Sequence, residues 1–146
     1  MPTASVSCKR PPTSCRSRCL HAPIARDYAG GSWKDNLSLA ATDNGRRQAA
    51  VEETMAALDV AAAVKYSTLV LHGGIPEPYG GAADNHLGSL VRSLEELSPV
   101  AERYGVRLAV EVIPNAISTA SALVELVESD LDAADLGICM DVGHAR

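Results

Sequence analysis

Apolar positions recur at helical spacing in three stretches of the chain, and short apolar runs bounded by Gly and Pro lie between them. Residues 43–64 are rich in strong helix formers and place Val51, Met55, Leu58 and Ala62 on one face. Thr42 or Asp43 is the expected N-cap. A second helix is expected where Leu87, Leu90, Val91, Leu94 and Leu97 share a face; Pro99 kinks it or opens a new turn, and Gly105 stops it. Ser118 or Thr119 can cap a third, with Ala120, Leu123, Leu126 and Val127 as its buried stripe. The runs TLVL (68–71), VRLAVEV (106–112) and LGICMD (136–141) are short and largely apolar, as strands covered on both faces must be. Strand and helix therefore alternate, which predicts βαβ units on a parallel sheet.

These strands each end in a group that can bind metal: His72, Glu111 and Asp141. In parallel α/β architectures ligands gather at the carboxyl ends of the strands. A carboxylate within an apolar run such as AVEVI is costly to bury unless it is paired, hydrogen-bonded or metal-bound. His144 follows Asp141 in a DVGHA turn, and LHAP (20–23) reads as the end of an earlier strand that would bring His21 to the same rim. Mixed imidazole and carboxylate donors suit Zn, Mn, Co or Fe(II), whereas an all-oxygen set suits Mg or Ca.

Composition narrows the picture further. With one Trp, four Tyr and no Phe among 146 residues, the core must be built from Ala, Val, Leu and Ile. All five basic residues before Asp27 sit in a stretch without acids, so the remainder carries 8 basic and 18 acidic residues, a net charge of −10. Such a body repels a phosphate backbone, which disfavours nucleic acid as a partner. Residues 1–19 show no helical or strand period and contain Pro11-Pro12; they are expected to be an unpatterned extension of a domain spanning 20–146. The Cys8, Cys15 and Cys19 spacing matches no common zinc pattern, and Cys139 has no evident disulfide partner. No segment reaches the apolar length of a membrane span, and residues 1–19 lack a signal-peptide centre, so a reduced, cytoplasmic protein is expected.

LHAP at 20–23, LVLHGG at 69–74, LAVEVIP at 108–114 and LGICMDVGHAR at 136–146 together resemble the sugar phosphate isomerase/epimerase family. That family shares the xylose-isomerase-like (β/α)8 TIM barrel with the endonuclease IV-type AP endonucleases. The resemblance implies that Glu111 is a metal ligand that also moves protons, and that Asp141 is a second ligand. It implies that His144, His72 and His21 contact substrate or add to the metal site. The implied cofactor is a divalent metal (Mn, Mg, Co or Zn), and the implied substrate a small sugar or polyol.

An eight-stranded barrel needs about 250 residues. Here about four βα units are legible, so the chain is expected to form a partial barrel, a truncated piece that can self-associate through open sheet edges. The implied activity is a metal-dependent isomerase or epimerase acting by proton transfer beside a carbonyl. Its second base would come from a later strand, leaving this chain alone a poor catalyst. The alternatives are an AP-endonuclease-type zinc phosphodiesterase, a keto-inositol dehydratase and a non-catalytic half-barrel.

Overall fold

The computed structural model describes residues 18–30, 32–77, 79–129 and 135–143. Its elements run β1 (Cys19–His21), β2 (Ala25–Ala29), β3 (Ser32–Asn36), α1 (Asn44–Asp59), β4 (Thr68–His72), α2 (Leu87–Tyr104), β5 (Arg107–Glu111), α3 (Ala120–Glu128) and β6 (Gly137–Cys139). Strands β1, β4, β5 and β6 form one parallel sheet in that spatial order. Parallel strands alternating with helices are what the apolar periods predict, and the arrangement accords with the partial barrel that the family resemblance implies.

Alternation along each strand divides the sheet into two faces. Leu69, Leu71, Leu108 and Val110 join Val51 and Leu58 of α1, Leu90, Leu94 and Leu97 of α2, and Leu123 and Leu126 of α3 in one buried cluster. The alternate residues, Val70, His72, Ala109 and Glu111, therefore face the other side of the sheet, away from the helices.

The expected caps hold where they can be checked. Asp43 accepts from the Arg46 N–H at 2.8 Å, and Thr119 Oγ1 accepts from Ala122 N–H at 3.2 Å. Gly105 closes α2 with φ +66°, the left-handed conformation a Cβ disfavours. Helix α2 continues through Pro99 without a break. The predicted stripe of α1 shifts at its end. The helix tightens into a 3₁₀ turn at Val60–Ala62, which turns Ala61 inward and leaves Ala62 exposed. On α3, Leu123 and Leu126 are buried as expected, but Ala120 and Val127 are exposed. Strand β6 is shorter than predicted and, among the described residues, is an edge strand with one neighbour, so Ile138 and Met140 remain 38% and 58% exposed.

Strand β1 takes in Cys19, which by sequence pattern falls in the unpatterned segment; residues 1–17 lie outside the described residues. The hairpin β2–β3 has no counterpart among the elements expected from periodicity. It is antiparallel, with Tyr28 opposite Trp33 and Ala29 opposite Ser32, and Gly30 takes φ +61° in its two-residue connection.

Arg47 sits on the buried face of α1, 4% exposed, and pairs with Glu96 of α2 at 2.8 Å while donating to Ser93 Oγ at 3.1 Å. Removing Glu96 leaves that guanidinium buried with less compensation. Because Glu96 itself is 39% exposed and partly screened, Glu96→Ala is expected to cost about 1 kcal/mol in urea unfolding. An unchanged midpoint would show the pair to be dispensable.

Candidate metal centre

Strand register decides which strand-end groups meet. His72 lies directly opposite Glu111 across the β4–β5 pairing. His21 pairs at the level of Val70, two residues short of His72, yet its ring extends along the strand direction to the same carboxylate. His21 Nε2 is 2.9 Å from Glu111 Oε2, and His72 Nε2 is 3.4 Å from the same oxygen. The two imidazoles meet edge to face with centroids 5.1 Å apart. Glu111 is 3% exposed, so the carboxylate has lost nearly all contact with water.

The chemistry of these contacts requires a proton or a cation between His21 and Glu111. His21 Nδ1 is 2.7 Å from the Ala22 carbonyl, which can only accept. Its Nε2 faces an ionised carboxylate, which also only accepts. A neutral imidazole carries one N–H and cannot satisfy both. A proton carried by one partner or the other, or a cation in its place, must therefore lie between Nε2 and Glu111 Oε2. One ligand atom from each of His21, His72 and Glu111 lies within 4.8 Å of the others. Ligands held roughly 2.0–2.2 Å from a tetrahedral cation sit about 3.4 Å apart, so small side-chain adjustments would admit one ion. The buried acid and two imidazoles fit a divalent metal.

The trio opens into a cavity of about 690 Å³, within the roughly 300–1,000 Å³ range of small-molecule sites. Ile24, Ser32 and Asn36 from the hairpin and its flank form one wall, and Ile75, Pro76 and Tyr79 from the loop after β4 form another. Asp141 lines the same cavity but is not one of the three clustered donors. Its Oδ1 accepts from the Gly143 N–H at 2.7 Å. Of the sequence candidates, then, Glu111, His72 and His21 come together, Asp141 stands on the cavity wall, and His144 lies outside the described residues. Cys139, opposite Glu111 in register, has its thiol pushed up by burial and then by the charges of Glu111, Cys19 and Asp141.

The hairpin wall could have been anticipated from Gly30-Gly31, a two-residue turn signal between two five-residue runs. Nothing in the periodicity marked it, because Asp27, Tyr28, Ala29, Ser32 and Lys34 are all exposed.

A family profile described as xylose isomerase-like TIM barrel matches residues 14–146. The chain belongs to that family. An uncharacterized protein of Methanocaldococcus jannaschii, MJ1311, is 31% identical over 132 residues, covering 87% of this chain and 41% of the relative. A D-tagatose 3-epimerase-like protein has a crystal structure similar to this chain, with TM-score 0.63 and 28% identity over 88% of this chain and 46% of that one. A xylose isomerase domain protein from Planctomyces limnophilus gives TM-score 0.59 at 23% identity, covering 86% of this chain and 43% of that one; at that identity the likeness speaks to fold alone. The chain thus spans less than half the length of these family relatives.

Proposed function

We propose that His21, His72 and Glu111 hold one divalent cation and that the site serves isomerisation or epimerisation of a small sugar or keto-polyol. The observation that carries the reading is the His21 ring set between two acceptors, with a buried carboxylate shared by a second imidazole at the mouth of a sugar-sized cavity. Similarity to a D-tagatose 3-epimerase-like protein supports the choice of reaction class.

A bound divalent cation supplies Lewis acidity that makes the proton between a substrate carbonyl and its neighbouring hydroxyl easier to remove. Glu111 would anchor the cation and, through its second oxygen, carry a proton to or from the substrate carbon. His21 is oriented by the Ala22 carbonyl, which fixes Nδ1 as its donor and leaves Nε2 for the metal. Asp141 would add a carboxylate from the cavity wall. Ile24, Ile75 and Pro76 exclude water from part of the cavity, which strengthens the electrostatics of the site. A base on the opposite face of the substrate would come from outside the described residues.

Two imidazoles in a three-donor set also suit zinc, which favours zinc-dependent phosphodiester hydrolysis as a second reading. The acidic body beyond residue 26 weighs against a nucleic-acid substrate.

Titration of metal-free protein with Co²⁺ and Mn²⁺ is the test, followed by a panel of four- to six-carbon ketoses and polyols. One equivalent of metal should bind, and sugar binding should require it. Binding should weaken as pH falls, because protons compete with the cation for His21 Nε2 and His72 Nε2. Metal binding that is absent, or indifferent to replacing His72 with Ala, would sink the proposal. Metal-dependent cleavage of an abasic-site oligonucleotide would favour the second reading instead.

A further inference from the structure

The loop after His72 and the loop after Glu111 are joined by a pair of side-chain amides. Asn85 Oδ1 accepts from the Ile75 N–H at 2.9 Å and from Asn115 Nδ2 at 3.1 Å. Asn85 Nδ2 donates to the carbonyls of Ile75 and Gly81, each at 3.1 Å. Two donors and two acceptor sites exhaust what an Asn side chain offers. Asn115, 4% exposed, also accepts from the Ile117 N–H at 3.1 Å, so its amide is fastened to its own loop as well. A backbone bond from Glu77 N–H to the Pro114 carbonyl at 2.9 Å runs beside the pair. Gly74 completes the fit, for a Cβ there would run into Asn85 Oδ1.

The sequence of the first loop, GGIPEPYGGAAD, is that of a mobile segment, rich in Gly and Pro. The amide pair holds it as a wall. That wall begins at His72 and contributes Ile75, Pro76 and Tyr79 to the cavity, while the second loop begins at Glu111. We infer that Asn85 and Asn115 are positioning residues of the site, whose paired amides lock the His72 loop to the Glu111 loop and so fix ring against carboxylate. In none of these hydrogen bonds does either amide touch the ligand trio; the pair acts through the loop roots. The functional meaning of the inference rests on the metal reading.

Three substitutions separate this role from a general contribution to folding. Asn115→Asp keeps the acceptor for Ile117 but replaces the donor to Asn85 with an oxygen, so the cross-link opens. Gly74→Ala opens it from the other side by displacing the Asn85 amide. Glu96→Ala leaves the amide pair untouched and loosens only the α1–α2 contact, so it controls for a general loss of stability. In the full chain, Asn115→Asp and Gly74→Ala are expected to weaken Co²⁺ binding about tenfold and shift the visible Co²⁺ absorption bands, with Glu96→Ala close to wild type. Amide exchange at Ile75 reports directly whether the pair has opened. Faster exchange at Ile75 with unchanged Co²⁺ affinity and spectrum would overturn the inference, as would equal losses in all three variants. If Asn115→Asp does not fold, Gly74→Ala against Glu96→Ala decides. If the wild-type chain binds no Co²⁺, the metal reading falls, and nuclear Overhauser effects between the His21 and His72 rings decide the positioning role. Rings that separate when the pair opens uphold it; rings that stay together refute it.

Discussion

Glu111→Gln is expected to lower Co²⁺ or Mn²⁺ affinity about a hundredfold or more while the protein unfolds at the same temperature or a higher one. The two halves of this result have one cause. The Glu111 carboxylate is almost wholly buried on the sheet face opposite the helices, where it contributes nothing to the apolar cluster. Taking an ion out of water costs several kcal/mol, and the two imidazoles repay it only when they, or a cation between them, carry positive charge. Glutamine keeps the shape and one acceptor oxygen but has no charge with which to hold a cation, so the metal loses its anionic ligand. The same change removes the desolvation cost from the metal-free fold. Calorimetric titration and scanning calorimetry on the two proteins give both numbers. Unchanged metal affinity would exclude Glu111 as a ligand. A loss of several kcal/mol in stability would make the trio a structural ion-pair cluster.

Helices and strands were legible because their burial is periodic. Leu90, Leu94 and Leu97 repeat on one side of α2, and β4 and β5 are apolar runs flanked on both sides by polar text. Three of the strand-end candidates were legible for the same reason: His21, His72 and Glu111 interrupt apolar patterns where a parallel sheet gathers its ligands. Which of them touch was not. The resemblance implies Glu111 and Asp141 as metal ligands with His21 and His72 as substrate contacts or further donors; all four line one cavity, and the direct contacts to Glu111 come from the two histidines. Those contacts depend on register, since β1 is set two residues back along β4 and His21 must reach along the sheet to meet Glu111. Periodicity within a strand says nothing about its offset from a neighbour. Arg47 was hidden in another way. It interrupts the apolar face of α1, where a charge is ordinarily read as solvated, and only α2 brings Glu96 and Ser93 to meet it. The amides of Asn85 and Asn115 lie 30 positions apart in unpatterned loops, and nothing local in either stretch announces a partner. The hairpin left no burial signal because most of it faces water.

Replacing Ile138 with Lys and Met140 with Glu is expected to weaken self-association of the 146-residue chain about a hundredfold. Among the described residues strand β6 is bonded to β5 on one side only, leaving its other side as a row of backbone donors and acceptors. Ile138, Met140 and Val142 are 38%, 58% and 86% exposed along and just beyond that strand, and Val124 and Val127 of α3 add 44% and 39% exposed apolar surface. An edge with both free hydrogen-bonding groups and apolar side chains is a template for pairing with another strand. Burying the exposed parts of two such side chains contributes about 3 kcal/mol, hence the hundredfold change. Neither residue lines the cavity or belongs to the ligand trio, so metal binding by the double variant should match that of the parent. Sedimentation velocity across a concentration series measures the association directly. A parent chain that is monomeric at high concentration would show that this edge is already protected. An association that survives both charges would place the contact elsewhere, with the β1 edge at Cys19–His21 as the next to test.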